Sequence, residues 1–82
     1  MFHTYILYSE DIDRYYIGYC GHDLESRLRA HLSNHKGFTA KAKDWKVAHV
    51  ETFTSKKEAM DRERQIKKWK SRKMVEALIS GD

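Results

Sequence analysis

An α+β fold, in which three strands form one sheet flanked by helices, is predicted for these 82 residues by three observations. Two stretches rich in aromatic and β-branched residues stand close together near the start, separated only by a short polar segment. A third such stretch follows in the middle of the chain. Leucine and other apolar residues then recur at helical spacing on either side of that third stretch. The chain contains no proline, no Gly/Ser linker and no repeat, so it reads as one domain over residues 1–82 in the order β-β-α-β-α-α. A chain of this length buries only about 60–65% of its unfolded surface, so a large enclosed cavity is not expected.

Phe2 to Tyr8 and Tyr15 to Tyr19 read as the first two strands. Between them, Ser9-Glu10-Asp11-Ile12-Asp13-Arg14 reads as the loop of an antiparallel hairpin. Centring that loop on Glu10 and Asp11 puts Tyr5 opposite Tyr16 on one face of the sheet. Asp23 is placed to cap a first helix reaching about Ser33, along which Leu24, Leu28 and Leu32 repeat every four residues. Arg27 and His31 border that stripe. Asn34 to Asp44, with Gly37 and three lysines, reads as a basic loop, and Trp45 to Phe53 as the third strand. Ser55-Lys56-Lys57-Glu58 has the form of a capping box opening a second helix from Lys56 to about Lys70. Lys73 to Ile79 forms the last helix.

Charge and composition narrow the class of function. Hydrophobic residues make up 40% and aromatic residues 12%, enough to fold, and the formal net charge is +4. Acids lead in the first twenty residues and bases in the rest. Lys67, Lys68, Lys70, Arg72 and Lys73 crowd one short segment without an acid. A one-signed stripe of this kind suits a phosphate polymer, with the loop bases Lys36, Lys41 and Lys43 adding to it; the plainer reading is a solvated helix face. Apolar runs stop at about four residues, far from the ~20 of a membrane helix. A lone cysteine, Cys20, allows no intrachain disulfide and points to a reducing cytoplasm. Cys20, His22, His31 and His35 could be read as a zinc set, but their spacing is tighter than common zinc sites.

On the second helix Ala59, Met60 and Ile66 mark an apolar sector, and Glu63 falls inside it. A carboxylate facing that way is costly unless it is paired, solvated or holding a cation. Two readings stand side by side: an i,i+4 ion pair with Lys67, or the anchor of a metal.

Tyr5, then Tyr16-Ile17-Gly18, then Arg27 and His31, then Glu63, form an ordered set that resembles the GIY-YIG nuclease superfamily. The likeness is closest to its small stand-alone branch, which is related to the nuclease module of the excinuclease family. Asp23-Leu24-Glu25, Gly37-Phe38-Thr39, Asp44-Trp45-Lys46 and Glu58-Ala59-Met60 with Arg62-Glu63 extend it over most of the chain. The departures are two. The naming tripeptide reads His3-Thr4-Tyr5, and the asparagine that some homing-type members carry after the glutamate is missing.

This resemblance implies a metal-dependent endonuclease that hydrolyses DNA phosphodiester bonds, in a setting such as DNA repair or recombination. It implies Glu63 as the ligand of one Mg2+ or Mn2+, Arg27 as the group facing developing phosphate charge, and Tyr5 as general base beside Tyr16 and His31. Magnesium keeps several waters and commonly binds through one or two carboxylates plus substrate phosphate, so a single glutamate is a sensible anchor. Ionising a free tyrosine at pH 7 costs about 4 kcal/mol. Arg27 and the cation would offset this, or the proton would pass onward through His31 or a hydroxide at the metal. The alternative is a DNA-binding module of the same fold with little catalysis. So short a chain would draw sequence specificity from a second copy or a partner protein.

Overall fold

The computed structural model describes residues 1–21, 23–26, 29 and 42–81. Three strands form one sheet: β1 (Phe2–Ser9), β2 (Arg14–Cys20) and β3 (Lys46–Phe53). β1 lies in the middle, antiparallel to both neighbours. It is covered on both sides, which is why Thr4-Tyr5-Ile6-Leu7 is buried without alternation. Two helices follow, α1 (Lys56–Trp69) and α2 (Arg72–Ser80). Residues 24–26 and 29 are also helical, within the span expected of the first helix, and its remaining residues lie mostly outside the described ones. The α+β class and the three-stranded sheet are as the sequence predicts.

The hairpin register differs from the expectation. Tyr5 pairs with Gly18, and Tyr16 pairs with Leu7. The loop runs from Glu10 to Asp13 and is centred one residue later than expected. Asp13 closes it with a left-handed backbone, φ 52°, a conformation aspartate tolerates better than most residues. Asp44, distant in sequence, clamps the loop: Ser9 Oγ donates to its Oδ1 at 2.5 Å and the Asp11 N–H to its Oδ2 at 2.9 Å. The slip moves each partner by two residues, so Tyr5 and Tyr16 remain on one face.

The two faces of the sheet carry separate cores. Ile6 packs with Ile66 of α1 and Val75 of α2, and Ile17, Trp69 and Leu78 close around them. On the other face Tyr5 and Leu7 pack with Cys20, Ala42 and Trp45, flanked by Leu24 and Tyr16. Trp45 is buried just before β3 begins, whereas the sequence reading placed it as the first residue of that strand. The register of β3 against β1 slips between Ile6 and Leu7, a bulge at Ala48 that bends this edge strand.

Helix α1 is held at both ends and in the middle. Ser55 caps it, accepting the Glu58 N–H at 3.2 Å. The return leg of the expected capping box is made hydroxyl to carboxylate, Ser55 Oγ donating to Glu58 Oε1 at 3.0 Å. The Arg62 guanidinium bonds Glu51 of β3 at 2.8 and 3.1 Å and lies over the Trp69 ring. Thr4, buried on β1, donates its hydroxyl to the Ala59 carbonyl at 2.7 Å. In helical geometry that carbonyl also receives the N–H of Glu63, so β1 grips the turn that carries Glu63. Lys70 then adopts a left-handed backbone, φ 48°, and Ser71 caps α2 by accepting the Met74 N–H.

Candidate active site

Alternation along β1 sends Thr4 into the α1 face and Tyr5 onto the other, so neighbouring residues serve the helix and the site. Tyr5 is 1% exposed, and its phenol extends across the strand over Gly18. A Cβ on Gly18 would sit 2.7 Å from the Tyr5 hydroxyl oxygen and 3.1 Å from a ring carbon of Tyr16. Glycine is required here by close approach: it leaves the space that the phenol fills.

The phenol thereby reaches a concavity of about 840 Å³ at the end of the sheet where β1 starts and β2 finishes. Tyr5, Tyr16 and Gly18 line it from one face of the sheet, and Phe2 and Tyr19 from the other, so the hollow wraps around the end of β2. Glu63 lines it from α1 although the core of that helix packs on the opposite face. Its side chain is 16% exposed, and Lys67 Nζ approaches Oε1 at 3.6 Å, an ion pair outside hydrogen-bonding distance. Both readings of Glu63 are thus present in its surroundings: a lysine partner one turn on, and a carboxylate facing a cavity.

Asp23, Ser26 and Lys56 complete the charged and polar lining. Asp23 accepts the Ser26 hydroxyl at 2.7 Å and its N–H at 3.2 Å, the bonds of a helix cap, and these hold its carboxyl below the usual range. The sequence reading gave Lys56 only as the first residue of the second helix, with no part in the site. The signal was available, because Lys56 and Glu63 are seven residues apart and share one face of α1. Among the described residues no three His, Cys, Asp or Glu side chains gather as a metal cage. A single half-buried carboxylate facing an open hollow suits magnesium that keeps most of its water, and does not suit a dehydrated structural ion.

Of the residues named from the sequence, Tyr5, Tyr16 and Glu63 are brought together. Arg27, His31, Lys36 and Lys41 lie outside the described residues. Lys43, Lys68 and Lys73 are exposed. Lys67 and Lys70 border a second, smaller hollow. Arg72 is engaged: its guanidinium bonds the Asp13 carboxylate and carbonyl and Glu76, and lies over the Tyr15 ring.

The family model for the GIY-YIG catalytic domain matches residues 1–75. The chain belongs to the GIY-YIG nuclease superfamily. The match covers the domain as a whole and does not single out the excinuclease-related branch. Comparison with curated proteins and with solved structures yields no significant match. In this GIY-YIG domain Tyr5 of β1, Tyr16 and Gly18 of β2 and Glu63 of α1 surround one concavity. No helix among the described residues is long and apolar enough to cross a membrane.

Proposed function

We propose that this GIY-YIG domain is a magnesium- or manganese-dependent endonuclease that hydrolyses DNA phosphodiester bonds. The observation that carries the reading is the shared cavity of Tyr5, Tyr16 and Glu63, reached from opposite faces of the sheet. Glu63 would hold the cation through its carboxylate, with waters and substrate phosphate completing the shell. When bound, the ion would act as a Lewis acid toward the phosphate and neutralise charge developing on it.

The chain's own residues account for the rest. Tyr5, either ionised beside the positive charge of Arg27 and the cation or passing its own proton onward as it accepts another, would take the proton of the attacking water. Tyr16, on the same face, would orient that water by hydrogen bonding. The roles of Arg27, facing the phosphate charge, and His31, passing the proton onward, come from the family resemblance. Lys56 supplies a fixed positive charge at the cavity wall and draws the phosphodiester in. Exclusion of water is slight in so open a hollow, so positioning and charge supply most of the effect.

We place the activity in DNA repair or recombination, in a reducing cytoplasm, with specificity drawn from a second copy or a partner protein. A binding module with little catalysis is the second reading, favoured by the Glu63–Lys67 pair. Incubating the purified chain with plain, flapped and branched DNA, with and without Mg2+ or Mn2+, separates the two. Metal-dependent nicking supports the nuclease. Binding without nicking under every condition supports the module.

A further inference from the structure

A second hollow, about 320 Å³, lies between the start of β2 and the junction of α1 with α2. Its floor is apolar, made by Tyr15, Ile17 and Ile66, and its rim carries Arg14, Lys67 and Lys70. Among the described residues neither Arg14 nor Lys70 pairs with a carboxylate, and both are exposed. Arg72, also on the rim, is bound to Asp13 and Glu76 and braces the wall. Asp13, also at the rim, is held by Arg72, and Lys67 faces Glu63 at 3.6 Å, so the uncompensated positive charge above a surface that a sugar can cover comes from Arg14 and Lys70.

Its position relative to Glu63 is set twice over. Glu63 and Lys67 follow one another along α1 and Lys70 stands just past its end, and the six helical steps from Glu63 to Trp69 span ~9 Å. Along β2 the hollow is lined by Arg14, Tyr15 and Ile17 and the first cavity by Tyr16, Gly18, Tyr19 and Cys20, with Arg14 about 13 Å from Gly18. In B-form DNA one strand rises ~3.4 Å per nucleotide along the axis, and its phosphates, winding around that axis, stand about twice as far apart, so this separation is roughly two nucleotides.

We propose that the hollow rimmed by Arg14, Lys67 and Lys70 is a second phosphate site, which grips the DNA backbone about two nucleotides from the phosphate beside Glu63. The phosphate sits on the basic rim and its deoxyribose against Ile17. A contact to phosphate and sugar fixes the strand's path without reading sequence. It deepens the nuclease reading and rests on it for the identity of the polymer. The sequence reading placed Arg14 in the hairpin loop with no binding role, because it opens β2 apart from other bases and joins those near the end of α1 only through the fold.

The test measures binding and cleavage separately in the full chain. DNA affinity is measured across salt concentrations for the wild type, Arg14→Gln, Lys70→Gln and the double variant, with melting curves as a check on folding. Each lost phosphate contact should flatten the slope of log K against log salt by about 0.9, so the double variant should lose up to roughly 1.8. Affinity should fall about tenfold or more, and Arg14→Lys should restore most of the binding. A neutral methylphosphonate about two nucleotides from the cut should weaken wild-type binding and add nothing in the double variant. If the wild type nicks DNA while the variants keep its slope and affinity, the second site is wrong and the nuclease reading stands. If the wild type binds without nicking while the variants lose slope, the second site stands and the nuclease reading falls.

Discussion

The phenol of Tyr5 lies over Gly18, its cross-strand partner, in a space that a single methyl group would occupy. The glycine of the signature thus acts through sterics: it lets a buried tyrosine on the central strand reach a cavity at the end of the edge strand. Gly18→Ala should push the Tyr5 ring aside, with a stability loss of about 1–3 kcal/mol typical of overpacking. Nicking should fall by more than DNA affinity does. Thermal melts and single-turnover cleavage check this, and a fully active, equally stable Gly18→Ala would contradict the role given to the glycine.

Thr4 couples the same strand to the turn of α1 that carries Glu63. Thr4→Val keeps the shape of the side chain and removes the bond to the Ala59 carbonyl. About 1 kcal/mol of stability should go with it, the usual net value of a buried neutral hydrogen bond. A positioning role predicts a lower cleavage rate at saturating DNA with Kd unchanged. Loss of stability alone, with the rate intact, would reduce Thr4 to a packing residue.

Asp13 and Arg72 join the hairpin loop to α2, and the bond to Arg72, followed by that to Tyr8, lowers the Asp13 pKa from the usual 3.8 to about 2. Because the folded-state value is depressed, this contribution is full above about pH 4 and is lost as the pH falls through about 2. Titration followed by carboxyl-carbon NMR should find Asp13 near 2 in the wild type. In Arg72→Gln it should rise toward the ordinary range, and the acid-unfolding curve should flatten between pH 4 and pH 2. An unmoved Asp13 would mean that Tyr8 or the loop backbone sets its titration.

The strands and helices were legible because their periodicities are local: aromatic runs for β1 and β2, leucine and alanine spacing for the helices. The register was not, because it depends on the left-handed Asp13 and on a clamp from Asp44 that no local pattern announces. Tyr5, Tyr16 and Glu63 were found together from their order along the chain. That Tyr5 and the core of α1 occupy opposite faces, with the cavity wrapped around the end of β2, follows from side-chain volumes at Gly18 and the placement of α1. Lys56 and Arg14 were read only as parts of a capping box and a hairpin loop, because a base at the start of an element looks like ordinary solvated charge until the fold gives it neighbours.

Glu63 bears the central claim, since a metal anchor and a mere partner of Lys67 give opposite results on substitution. Glu63→Gln keeps the size of the side chain and removes its charge. The most direct measurement is the single-turnover nicking rate of Glu63→Gln against wild type in Mg2+, with DNA affinity and melting temperature taken on the same samples. A metal ligand predicts a normal fold, affinity at least equal to wild type because a repelling carboxylate is gone, and a rate lower by about 10³-fold or more. A surface ion pair predicts a change of only tenths of a kcal/mol in stability and no loss of rate. Nicking by Glu63→Gln at the wild-type rate would contradict the mechanism.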